Sequence, residues 1–223
     1  MFPLIPADLL RLVGLALVPL GGAVAGWPSA AVMFLVFGTQ WLLRWLVGGR
    51  VLDWTGQTVL LAAGWCSVTG LYHRVEHLDL LMHAASSAVI AGLTAVAVRA
   101  WLRRRGSSAG AAVRLLGPTL CWAALVSAVG TLGVLWEVAE WIGHRWITAE
   151  IGVGYEDTVT DLAANLIGAA AASGWVLRTV EARTAGVPAA ETRTAEAPAV
   201  ETRTAEAPAA EAGDAAADAG EAR

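Results

Sequence analysis

Six long apolar runs alternate with short polar connections over the first four-fifths of the chain. A helix needs about 20 apolar residues to cross hydrocarbon. Runs of that length fall at approximately 8–26, 29–48, 54–72, 80–102, 118–142 and 158–180. The pattern predicts an all-α fold, a polytopic transmembrane bundle of about six helices filling residues 1–180. Gly64, Ala84, Ser87, Ala88, Gly130, Gly133, Gly168 and Ala172 would let such helices approach closely. Trp27, Trp54, Trp101, Trp141, Trp146 and Trp175 lie near run ends, where an interfacial aromatic belt would put them.

After the last run the pattern stops. Residues 181–223 read as a decapeptide repeat, EARTAGVPAA, ETRTAEAPAV, ETRTAEAPAA and a decayed EAGDAAADAG. A proline in each intact unit and the lack of bulky side chains predict a disordered, cytoplasmic tail. This tail carries nine acids and four arginines, so the net charge of −4 misleads: the remaining residues sum to +1.

Charge also sorts by side. Arg11, Arg44, Arg50, Arg99, Arg103, Arg104, Arg105, Arg114 and Arg178 fall on one face of the alternating topology, with Asp8 and Asp53. Glu76, Asp79, Glu137, Glu140, Glu150, Glu156, Asp157 and Asp161 fall on the other, with all four histidines, Arg74 and Arg145. The positive-inside rule puts the arginine face, with both termini, in the cytoplasm of a bacterial inner membrane. Arg44, near the inner end of its run, is read as snorkelling to the interface. Helices one and two contribute almost no polar side chains and are read as scaffold.

Composition adds exclusions. With 57% hydrophobic residues and a mean hydropathy of +0.58, the chain is too apolar for a soluble domain of its length. Its basic residues are all arginine, and no patch suggests nucleic acid; the lipid bilayer is the expected surrounding. Cys66 and Cys121 would lie about 12 Å apart in depth at 1.5 Å per residue, which argues for free thiols. Arg11 and Ala23-Val24-Ala25 imitate a signal peptide, but Pro19 and glycines interrupt the apolar run, so an uncleaved first helix is expected.

The candidate chemistry gathers on the acid-bearing side in three pieces. Asp79 is placed as the N-cap of helix four, with His83 one turn further on the same face. Glu137 and Glu140 share a face near the outer end of helix five, and His144 extends it. Two carboxylates so close in an apolar setting require either a shared proton or a cation. Asp157, Asp161 and Asn165 repeat every four residues at the opening of helix six. Asp157 can cap that helix, but Asp161 and Asn165 lie about 6 and 12 Å deeper, where capping does not reach. The bland alternative is an interhelical hydrogen-bond network holding the bundle together.

These motifs, Asp79-xxx-His83, Trp136-Glu137-xx-Glu140-Trp141 and Asp157-Thr-xx-Asp161-Leu-xx-Asn165-xx-Gly168-Ala, resemble those of the YjdF-like bacterial inner-membrane family. More distantly they are similar to the VanZ-like family, named for a teicoplanin-resistance protein. The VanZ-like pattern has Gln after the first Glu of the middle motif, where this chain has Glu140. The resemblance covers roughly residues 79–170 and implies a multi-pass membrane protein without an established reaction.

Three functional readings follow. In the first, Asp79, His83, Glu137, Glu140, Asp157, Asp161 and Asn165 form an outward-facing polar pocket that packs the bundle or binds a partner or ligand. In the second, His83, Glu137 and Asp161 hold a divalent metal, and Glu140 or Asp157 activates water for a hydrolase acting on an envelope or lipid-linked substrate. In the third, the chain is a cation- or proton-coupled transporter; the absence of an inverted repeat and of acids along the inner half argues against it. Packing or partner binding asks least of the sequence.

Overall fold

The computed structural model describes residues 3–149 and 151–185, and the repeat tail beyond Ala185 and Glu150 lie outside them. All secondary structure among the described residues is helical. The elements are α1 (Asp8–Val47), α2 (Val51–Val68), a 3-10 turn (Leu71–His73), α3 (Leu78–Arg104), α4 (Ala109–Leu116), α5 (Pro118–Trp146) and α6 (Tyr155–Ala185). The last helix thus runs past Glu181, where the disordered tail was expected to begin. A short helix, α4, occupies the predicted connection between the fourth and fifth runs, started by the Ser108 side chain accepting from the Ala111 N–H at 3.1 Å.

Helix α1 is a hairpin. Its backbone leaves helical geometry at Ala25 and Gly26, the latter at φ 79° and ψ −179°. That region is essentially glycine-only, and Pro28 prevents the helix from continuing straight through. The two arms then lie against each other. Asp8 pairs with Arg44, Arg11 reaches the Gln40 carbonyl, and a Cβ on Gly21 would sit 3.2 Å from Met33.

The remaining helices continue up and down. Gly56 faces Leu43 and Val89, and Gly92 faces Leu52, so α2 runs against the second arm of α1 and against α3. On the other side of α3, Ser87 meets Asn165 and Ala84 meets Gly168. The matched order of contacts further along, Arg99 and Arg103 beside Val180 and Arg183, makes α3 and α6 parallel. Helix α5 packs antiparallel to α6, with Gly133 against Asn165 and the Trp122 indole donating to the Ala170 carbonyl. Apolar cores form between α1 and α2, between α1 and α3, and between α3, α5 and α6.

The outer surface is apolar: Trp27, Leu35, Trp45, Leu135, Ile167 and Trp175 are each more than half exposed. Helices α1, α3 and α5 are long and apolar enough to cross a membrane. Helices α2 and α6 fall short because Asp53 and Gln57 in one, and Asp161 and Asn165 in the other, interrupt their apolar character. All four of those polar residues are buried inside the bundle.

The scaffold reading of the first two helices is corrected here. Arg11, Gln40, Asp53 and Gln57 are buried together at the arginine-bearing end. The Arg11 guanidinium donates to Asp53 at 2.5 Å, to Asp8 at 2.9 Å and to the Gln40 carbonyl at 3.1 Å. Asp53 also accepts from the Gln57 amide and, through its other oxygen, from the Gly49 N–H. Gln40 donates to Gln57 and to the Leu10 carbonyl, stitching both arms of α1 to α2. Arg44 does not simply snorkel: it pairs with Asp8 at 3.1 Å and donates to the Pro3 carbonyl at 2.7 Å.

Removing one member of a buried ion pair strands its partner, at about 3–5 kcal/mol. Asp53→Ala should therefore lower the thermal unfolding temperature of the detergent-purified protein sharply. The double change Arg11→Met with Asp53→Leu should recover most of the loss. A single-variant cost below about 1 kcal/mol, the range of solvent-exposed pairs, would mean that the Arg11–Asp53 pair is hydrated.

Candidate functional site

The polar residues singled out on the acid-bearing side come from three helices. Helix α3 supplies Asp79 and His83, α5 supplies Glu137 and Glu140, and α6 supplies Asp161 and Asn165. Their meeting depends on backbone approach. Gly168 lies so close to α3 that a Cβ there would run into the Ala84 carbonyl, and this contact draws Asp161, two turns earlier in α6, toward His83. On the other flank Gly133 makes room for the Asn165 amide, which brings α5 in.

His83 is the hub. Its Nε2 faces Asp79 at 3.5 Å and Asp161 at 3.7 Å, while its Nδ1 faces Glu137 at 4.0 Å. Its side chain is 12% exposed, Glu137 is 7% exposed and Asp161 is 3% exposed. All three separations exceed the 2.7–3.2 Å of an N–H···O hydrogen bond. Glu137 Oε1 is buried without any hydrogen-bond partner. One imidazole has at most two N–H groups to offer, and the carboxylates around it outnumber them. Deeper in the bundle the Ser87 hydroxyl donates to Asn165 Oδ1 at 2.7 Å.

Two overlapping triads have geometry suited to a cation. In Asp79, His83 and Asp161, and again in His83, Glu137 and Glu140, one ligand atom from each residue lies within 4.8 Å of the others. Both share His83. The metal set expected from sequence, His83, Glu137 and Asp161, is drawn from these two groups.

Some assignments change. Asp79 is not the N-cap of its helix. That position belongs to His77, in the left-handed region at φ 61° with no side-chain cap bond, and Asp79 sits in the first turn beside His83. Nor does Asp157 cap α6, which begins at Tyr155; it is exposed in the first turn. His144 turns away from the cluster, its Nδ1 2.7 Å from the Ile151 carbonyl. His73 and His77 are exposed. Cys66 and Cys121 are free.

A family model described as "Predicted membrane protein (DUF2238)" matches residues 12–182, three-quarters of the chain. The chain belongs to that family. The YjdF-like resemblance corresponds to the DUF2238 family, whereas the VanZ-like one is not supported by this match. Nothing among the curated proteins and no solved structure matches. The matched region of this DUF2238 member includes every helix that builds the cluster, from α3 to nearly the end of α6.

Because the cluster depends on the approach of α3 and α6, Gly168→Ala should separate them and cost about 1–3 kcal/mol, as overpacking does. Gly38→Ala, where a Cβ meets nothing within 4 Å, should be neutral or slightly stabilising. Thermal unfolding of both variants in the same detergent tests the contrast, and equal melting temperatures would contradict it.

Proposed function

We propose that this DUF2238 member is a multi-pass bacterial inner-membrane protein that binds a divalent cation between α3, α5 and α6. In this reading both arms of α1, α2, α3, α5 and α6 cross the bilayer, the arginine-rich ends face the cytoplasm, and the cation site opens outward. The observation that carries the cation is the buried, unpartnered Oε1 of Glu137 beside an imidazole already flanked by Asp79 and Asp161. A network built only for packing would supply a donor to each buried carboxylate oxygen. This one leaves acceptors in excess, the arrangement that a bound positive charge completes. Carboxylate oxygens suit Mg²⁺ or Mn²⁺, and one imidazole admits Zn²⁺. Asp79, His83 and Asp161 form one candidate ligand set, on the Nε2 side of the imidazole, and His83, Glu137 and Glu140 form the other, so one ion is held by one set.

A second reading has a specific observation behind it. Glu140 lies within reach of His83 and Glu137, and if Asp79, His83 and Asp161 hold the ion it is left free. A carboxylate beside a metal-bound water is the arrangement of a metal-dependent hydrolase, and Glu140 would then be the general base. The exposed Asp157 stands further out and is the weaker candidate. Transport has no comparable support, because at the opposite end Asp53 is taken up by Arg11, Gln57 and Gly49.

The test is metal content and metal-dependent melting temperature of the detergent-purified full chain, wild type beside Asp161→Asn and Glu137→Gln. Stoichiometric metal in the wild type is expected, with an upward melting shift on adding Mn²⁺ or Zn²⁺ that the variant belonging to the occupied ligand set loses while remaining folded. No metal and no shift, with equally stable variants, would overturn the cation site and favour packing or partner binding. Given a metal, loss of metal-dependent hydrolysis in Glu140→Gln with metal content retained would separate the hydrolase reading from simple binding.

A further inference from the structure

An open cavity rimmed by arginines lies at the end of the bundle opposite the His83 cluster. Its volume is about 210 Å³, and Arg99 and Arg103 of α3, Arg183 of α6 and the start of α4 at Ser108–Gly110 line it. Helix α4 is seated closely there: a Cβ on Gly110 would run into the Thr184 methyl group. None of the three guanidiniums has a carboxylate or carbonyl partner among the described residues, in contrast to Arg11 and Arg44 a few helices away. Among the described residues no acidic side chain lines the cavity.

Three like charges around one cavity repel unless an anion sits among them. The amino end of α4 adds partial positive charge at the rim. We propose that this cavity binds the phosphate of an anionic phospholipid in the leaflet at the arginine-bearing end. The lipid source, as opposed to free phosphate, is argued from the apolar surface beside the charge. Leu115 and Leu116 at the other end of α4 are 84% and 52% exposed. A headgroup phosphate would meet the guanidiniums, whose planar fork fits two phosphate oxygens at once. The acyl chains would cover the leucines. The site is independent of the cation site and rests on different helix ends.

The test is native mass spectrometry and thermal unfolding of the full chain in detergent, titrated with phosphatidylglycerol, phosphatidylcholine or inorganic phosphate. Arg99→Gln and Arg183→Gln are compared with Arg104→Gln and Arg105→Gln, which remove the same charge outside the cavity. Phosphatidylglycerol should bind and stabilise the wild type where phosphatidylcholine does not. Each cavity variant should weaken that binding by about fivefold, the worth of one arginine near an anionic surface, and the outside variants should leave it unchanged. Arg183→Lys, which keeps the charge, should fall between them and serves if the glutamine variant does not fold. Equal weakening by all four glutamine variants would reduce the effect to diffuse charge and overturn the site. Stabilisation by inorganic phosphate without preference for phosphatidylglycerol would overturn the lipid assignment.

Discussion

A charged side chain in hydrocarbon must find its partners inside the protein, because no water is there to supply them. The arrangement of polar groups in this bundle follows from that demand. Around Arg11 the charges meet it: every nitrogen of the Arg11 guanidinium donates, and both oxygens of Asp53 accept. At the acid-bearing end it is not met. His83 is surrounded by carboxylates at distances too long for hydrogen bonds, and a Glu137 oxygen is buried with nothing to accept from. The charges of Arg11 and Asp53 are paired with each other, whereas the carboxylates around His83 lack donors, and the proposed cation site rests on that difference.

Helix α3 connects the two halves. One face packs on the α1 hairpin and α2 through Val89 and Leu93, and the other lies on α6 through Ala84 and Ser87. It carries the hub histidine near its start and two cavity arginines near its end. Parallel contact with α6 puts residues of like depth side by side. That is why Asp161 reaches His83 at one end and Arg183 joins Arg99 and Arg103 at the other.

The helices were legible because hydrocarbon thickness imposes a length on each apolar run, and the polar stripe of Asp157, Asp161 and Asn165 was legible because the helical period puts it on one face. The convergence of His83, Glu137 and Asp161 was also open to inference, since only their mutual company explains ionisable groups at that depth. What stayed hidden were features that depend on the partner across a contact. Arg11 and Asp53 looked like ordinary flanking charges, and Gln40 and Gln57 like isolated polar positions. A buried glutamine in the middle of an apolar run was the available signal, and two of them at similar depth on neighbouring runs could have paired the helices. Asp79 was misplaced by two residues of helix start, because His77 adopts a left-handed backbone that nothing in its side chain announces.

The Arg11–Asp53 pair spans 42 positions of sequence, and this separation has a bearing on how the protein is made. Arg11 emerges from the ribosome beside Asp8 but long before Asp53, its buried partner, exists. If both arms of α1 and α2 cross the bilayer, as proposed above, the first helical hairpin has reason to wait at the membrane surface until α2 is synthesised, and the three crossings then enter as one cooperative unit rather than one by one.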